Sequence, residues 1–178
     1  MQSHEHKQCP PKGTRSSANL YQHEPYHYLQ MTLPAQLEHS PVRTVEFQAL
    51  DRSVSPVENL VKDFGTVYVT SITRDGCSGC AEQKPLFHEL AVKMAREHES
   101  VVFSNVHIRY GSDNQDESMK AKRAFRHPAY PTYMIHVKSR FGSLELYRSV
   151  YPAMEELEKQ VTNAFELADY HKADADKA

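Results

Sequence analysis

Cys77-Ser78-Gly79-Cys80 is the segment of this 178-residue chain that most directly suggests chemistry. Two thiols at this spacing can close a disulfide, pass two electrons to another disulfide, or hold a metal ion. If the pair opens a helix, both sulfurs lie on one side, because residues three apart are neighbours on a helical surface. Cys77 is then the outer sulfur. Its thiolate meets unpaired backbone N–H groups and the positive end of the helix dipole, both of which favour the ionised, attacking form. Cys80, one turn further in and less exposed, is placed to resolve the mixed disulfide and release the partner.

Zinc and iron–sulfur sites use the same spacing. A zinc site needs two further ligands from a second cluster, and the only other cysteine is Cys9. His4, His6 and Cys9 form a crowded set that suits zinc or copper in type, but coincidence within a polar tail is the better account of it. No metal and no cofactor is therefore expected at Cys77 and Cys80. Arg74 and Asp75 flank the pair with opposite charges, and whichever lies nearer Cys77 lowers or raises its pKa. His88, His98, His107, His127 and His136 read as ordinary surface or edge residues. The acids Asp113, Asp116 and Glu117 precede the bases Lys120, Lys122, Arg123 and Arg126. That order suits the dipole of a solvated helix, or else a partner-selecting surface.

The elements that must position the cysteines follow from periodicity. Val42 to Phe47 alternates as a strand. Ser55-Pro56-Val57-Glu58 carries a capping hydroxyl, a proline at the first helical position and an acceptor three residues after the cap, which predicts a short helix from Ser55 to about Phe64, ended by Gly65. Thr66 to Ile72 is β-branched and aromatic on both alternating sets, the pattern of a central strand covered on both faces. Leu86, Phe87, Leu90, Ala91, Met94 and Ala95 put one apolar stripe on a helix from Cys77 to about His98, kinked or interrupted at Pro85. Val101 to Ile108 is a further strand, and a helix follows from about Glu117 to Phe125. Thr132 to Val137 and Leu144 to Val150 form an antiparallel pair joined near Arg140-Phe141-Gly142. Pro152 to about Tyr170 closes as a helix. Tyr68, Phe87, Phe103, Phe125 and Phe165 fit core positions.

Residues 1–41 read as an extended or partly disordered arm, rich in proline and histidine and without a sustained period. Tyr21, Tyr26, Tyr28, Leu29, Met31 and Leu33 could lay an apolar strip along the body. Residues 42–171 form the folded domain, and 172–178 a fraying tail. A net charge of −2 provides no basic field for phosphates, so nucleic acid is not an expected partner. No segment approaches the ~18 consecutive apolar residues of a membrane helix, and Met1 to His6 lacks the apolar core of a secretory signal. The chain as given is expected to be soluble, off the membrane and cytoplasmic.

Several separate features resemble the thioredoxin superfamily, over roughly Val42 to Tyr170. The CSGC motif follows a buried-type strand and opens a helix. Pro85 lies five residues after Cys80, where that family carries the proline that bends its active-site helix. Ala129-Tyr130-Pro131-Thr132, just before a strand, looks like the family's cis-proline loop. The resemblance implies an α/β, thioredoxin-like three-layer fold with a central mixed sheet of four to five strands flanked by helices. It also implies a cis Tyr130-Pro131 bond opposite the cysteines, with the backbone of Tyr130 receiving the substrate chain beside Gly76, Ser78 and Gly79. The chain departs from the family at two places. Gly76 stands where a tryptophan is usual, and Ser71 stands where a buried acid is usual six residues before the first cysteine, which removes the ordinary proton relay for Cys80. The function implied is thiol:disulfide exchange with protein or small-molecule disulfides, recharged by an electron donor such as a reductase. The Ser78-Gly79 insert has no histidine to stabilise a thiolate strongly, which points to a reducing or moderate potential. A binding or chaperone module on the same platform, or a metal-binding CxxC protein, are the alternatives.

Overall fold

The computed structural model describes residues 41–177, so what was expected of the first 40 residues, the His4, His6 and Cys9 set included, lies outside the described residues. Five strands form one sheet: β1 (Val42–Glu46), β2 (Val67–Arg74), β3 (Val101–Ile108), β4 (Thr132–Ser139) and β5 (Gly142–Val150). Three helices accompany them: α1 (Ser78–Glu97), α2 (Gln115–Phe125) and α3 (Met154–Ala175). The strands lie in the order β1-β3-β2-β4-β5. β1 and β2 run parallel to β3, whereas β4 runs antiparallel to β2 and β5, which makes the sheet mixed.

β2 is central because both of its side-chain sets are apolar or small and can be covered on both faces. Its first six residues are buried. Alternation divides the core in two. Val67, Val69, Phe103, Tyr133 and Ile135 meet Phe87, Leu90 and Met94 of α1 and Leu157 and Val161 of α3. Ile72, Val106, Ile108 and Met134 point the other way, onto Ala121 and Phe125 of α2 and onto Phe47 and Leu50. The result is the three-layer α/β arrangement expected from the sequence, with five strands. No helix among the described residues is long and apolar enough to cross a membrane.

The differences from the sequence reading have local causes. The helix expected from Ser55 to Phe64 is only a 3-10 turn, Pro56–Asn59, and Ser55 makes no side-chain cap. Glu58, the presumed reciprocal acceptor, is drawn across the domain instead. It accepts from Lys138 Nζ at 2.8 Å and from Ser143 N–H at 2.7 Å. Asn59 meanwhile donates to Asp51 O at 3.1 Å, which ties the turn backward. On α1, Leu86 and Ala95 are exposed, and only Phe87, Leu90, Ala91 and Met94 of the apolar stripe are buried.

α3 continues past Tyr170 to Ala175 because its last turns find partners. A Cβ at Gly65 would lie 2.6 Å from Lys172 Cδ, and Arg140 Nε lies 3.7 Å from Asp174. Phe165 is only partly buried, its ring stacked on His98 at 4.0 Å.

Two histidines expected at the surface are interior. His136 is 2% exposed because β4 is covered on both faces, and His127 is 4% exposed because the left-handed Arg126 at the end of α2 turns the chain inward.

Candidate active site

The cysteine turn grows directly from the end of β2. Gly76, at φ +66, makes the reversal that a side chain would strain, and Cys77 follows as the N-cap of α1. Cys77 Sγ accepts the Cys80 N–H at 3.2 Å, so one of the helix's orphan donors is satisfied by the outer sulfur itself. The two cysteines form a disulfide with Cα atoms 5.2 Å apart. Cys77 is partly exposed and Cys80 is 6% exposed, the outer and inner order that the helix geometry requires. α1 runs on through Pro85, whose missing N–H leaves the Ala81 carbonyl without its helical donor.

The proline loop stands against this turn. The Tyr130-Pro131 bond is cis and Pro131 is buried. A Cβ at Gly79 would come within 3.5 Å of Pro131 Cδ, which places the loop beside the CSGC segment. Tyr130 is fixed from the other layer: its hydroxyl donates to Ser118 O of α2 at 3.0 Å, and Thr132 Oγ1 donates to Ala129 O at 2.7 Å.

The flanking charges are both engaged away from the sulfurs. Asp75 accepts from His107 Nε2 at 2.9 Å and from Tyr110 N–H at 3.2 Å, and these bonds, His107 first, hold its carboxyl below the usual range. His107 also meets Glu46 at 3.2 Å, so it links β1 to the cysteine turn. Arg74 lays its guanidinium over the Tyr110 ring at 4.0 Å and within 5.3 Å of the Tyr130 ring. Beneath the pair, Ser71 is 2% exposed and donates to Asn105 Oδ1 at 2.9 Å, and Thr73 donates to the same oxygen at 2.8 Å. The position that would hold an acid is thus a neutral hydrogen-bonded group. Ser71, Asn105, Phe87 and Tyr133 line a cavity of about 920 Å³ together with both cysteines. Among the described residues no group of three or more His, Cys, Asp or Glu is arranged to hold a metal ion.

The structure therefore brings together Cys77, Cys80, Gly76, Ser78, Gly79 and Pro131, with Tyr130 and Ser71 in support, while Arg74 and Asp75 are held by neighbouring side chains. Sequence reasoning missed three residues here. Asn105 is legible only through register, since β2 and β3 place it opposite Ser71. His107 needs the register of β1 on β3 to meet Glu46. Tyr151 lies against Gly79 and has no motif of its own, so no sequence signal announces it.

No family model matches the chain, and no curated protein matches it by sequence. Among solved structures it is similar to the thioredoxin of Trichomonas vaginalis, with a TM-score of 0.53 at 13% identity over 70% of this chain and 98% of that one. The thioredoxin of Malassezia sympodialis follows with a TM-score of 0.49 at 16% identity, over 70% of this chain and 90% of that one. That of Trypanosoma brucei brucei has a TM-score of 0.49 at 17% identity, over 73% of this chain and 96% of that one.

Proposed function

We propose that this chain, which has a thioredoxin-like fold, is a thiol:disulfide oxidoreductase working through Cys77 and Cys80. The observation that carries the reading is the disulfide at the start of α1, with a partly exposed sulfur at the helix tip and its mate buried one turn below. In the reduced chain the Cys77 thiolate attacks a substrate disulfide. A bond forms between Cys77 and one substrate sulfur, and the other substrate sulfur leaves as a thiolate that takes a proton from solvent. Cys80 then gives up its proton and attacks Cys77 Sγ, closing the intramolecular disulfide and expelling the second substrate thiolate. Two electrons pass to the substrate, and a dithiol donor of the reductase class restores the pair.

Ser71 and Asn105 provide no carboxylate to take the Cys80 proton, so in this reading solvent or a base at the cavity wall receives it. In a Cys9→Ser background, which leaves only Cys77 and Cys80, the fully reduced chain mixed with an aromatic disulfide such as dithiobis(nitrobenzoate) is expected to lose both thiols and release two aromatic thiols, and adding Cys77→Ser is expected to stop this two-thiol exchange. A chain with both thiols free that leaves this disulfide untouched overturns the reading.

A further inference from the structure

Tyr151 joins β5 to α3 with φ +50, one of two non-glycine residues among the described ones in the left-handed region. A tyrosine has no local hydrogen bond to offset that conformation, which costs on the order of 1 kcal/mol. The conformation sends the two ends of the residue to opposite sides of the site. Its N–H donates to Pro131 O at 3.1 Å, on the proline loop. Its phenol donates to Glu82 Oε2 at 2.6 Å, on α1.

Between those anchors the ring lies over Gly79, so closely that a Cβ there would fall 3.0 Å from Cε2 and 3.1 Å from Cδ2. The residue is nonetheless 48% exposed, so the ring stands up into solvent at the rim. It thus ties the proline loop to α1 across Gly79, the residue between Ser78 and Cys80.

We infer that Tyr151 is a crossbar that, by spanning the proline loop and α1 over Gly79, bars a polypeptide from passing beside Cys77 and Cys80, so that the site prefers low-molecular-weight disulfides to disulfides embedded in a polypeptide. This rests on the exchange chemistry proposed above and names the substrate class for it. An embedded disulfide carries chain on both sides of each sulfur and needs a passage open at both ends, about one strand wide. A small disulfide needs only one approach.

The test compares second-order rate constants of the fully reduced chain, carrying Cys9→Ser so that only Cys77 and Cys80 react, with dithiobis(nitrobenzoate) and with insulin. In Tyr151→Gly the insulin-to-small-disulfide ratio is expected to rise about tenfold, the scale of a modest steric discrimination. The unfolding midpoint of this variant is expected to equal or exceed the wild type, because glycine accepts φ +50 freely. Tyr151→Asn, also at ease in the left-handed region, repeats the test should the glycine variant misfold. Glu82→Ala frees the phenol but keeps the ring, and a smaller rise is expected. An unchanged ratio in both Tyr151 variants overturns the crossbar, and a lowered ratio does so by making the ring a contact for protein substrates. A wild type that consumes neither disulfide removes the exchange reading first, and the crossbar with it.

Discussion

His127 makes the domain sensitive to acid at the proline loop, and His127→Phe isolates that effect. The imidazole is 4% exposed, neither ring nitrogen has a partner, and its edge meets the Tyr130 ring at 4.7 Å. Burial, aided by the charges of Lys122 and Arg148, lowers its pKa from the ordinary 6.5 to about 4. Below the ordinary value the unfolded chain takes up a proton that the folded chain refuses until about pH 4. The unfolded state therefore binds more protons in this window, and stability falls as pH drops through it. At about 1.4 kcal/mol per pH unit the loss reaches roughly 3 kcal/mol at the acid end. His136, lowered to about 4 chiefly by burial, adds a loss in the same direction. His127→Phe keeps a ring against Tyr130 and removes the titration, so about half of the combined loss should disappear. Above pH 7 neither imidazole titrates, and removing two unpartnered buried nitrogens should leave the variant as stable as the wild type or better by about 1 kcal/mol. Urea unfolding of both proteins between about pH 4 and pH 8 measures this. Parallel stability curves for the two proteins across that range would refute the reasoning.

Glu58 is held at about 2 by Lys138 first and then by Ser143, so its contribution is present above the ordinary 4.5 and is lost as pH falls toward 2. The carboxylate is 30% exposed; with solvent screening, Glu58→Gln should cost about 1–2 kcal/mol at neutral pH, a difference that closes in acid and is read by chemical denaturation at both pH values. Gly65→Ala forces a side chain into φ +74 against Lys172 and should cost about 1 kcal/mol, measured as a lowered unfolding midpoint. Cys80→Ser leaves the attacking sulfur without its resolving partner. With Cys9 also replaced by serine, so that Cys77 is the one remaining thiol, it should accumulate an adduct of one small-disulfide thiol on Cys77, visible by intact mass, and its absence would count against Cys77 as the nucleophile.

Much of the scaffold was legible because local pattern and tertiary demand agree. Thr66 to Ile72 carries apolar or β-branched residues on both sets, and the strand is indeed buried on both faces. The stripe on α1 is legible because Phe87, Leu90, Ala91 and Met94 recur at helical spacing. The sequence misled where a side chain has two possible partners. Ser55 and Glu58 spell a capping box, but Lys138 and Ser143 hold the glutamate more strongly, and the helix shrinks to a turn.

Burial of His127 and His136 was hidden because nothing in a histidine's own neighbourhood tells which layer will cover it. At the candidate site the cysteines, Pro85 and the proline loop are marked by type and spacing. Asn105, His107 and Tyr151 are set by strand register and by a backbone dihedral, which spacing along the chain does not encode.

β2 and β4 are adjacent ladders, and Ile72 pairs with Thr132. The segment bearing the sulfurs and the segment bearing the proline thus leave neighbouring strands at the same end, and the gap between them is set by a pairing of the central strand β2. Amides in that pairing are shielded on both sides and exchange with solvent only when the sheet as a whole opens. Gradual heating should therefore not widen the gap between the cysteine turn and the proline loop ahead of the scaffold; loss of the proposed disulfide exchange and global melting are expected to coincide.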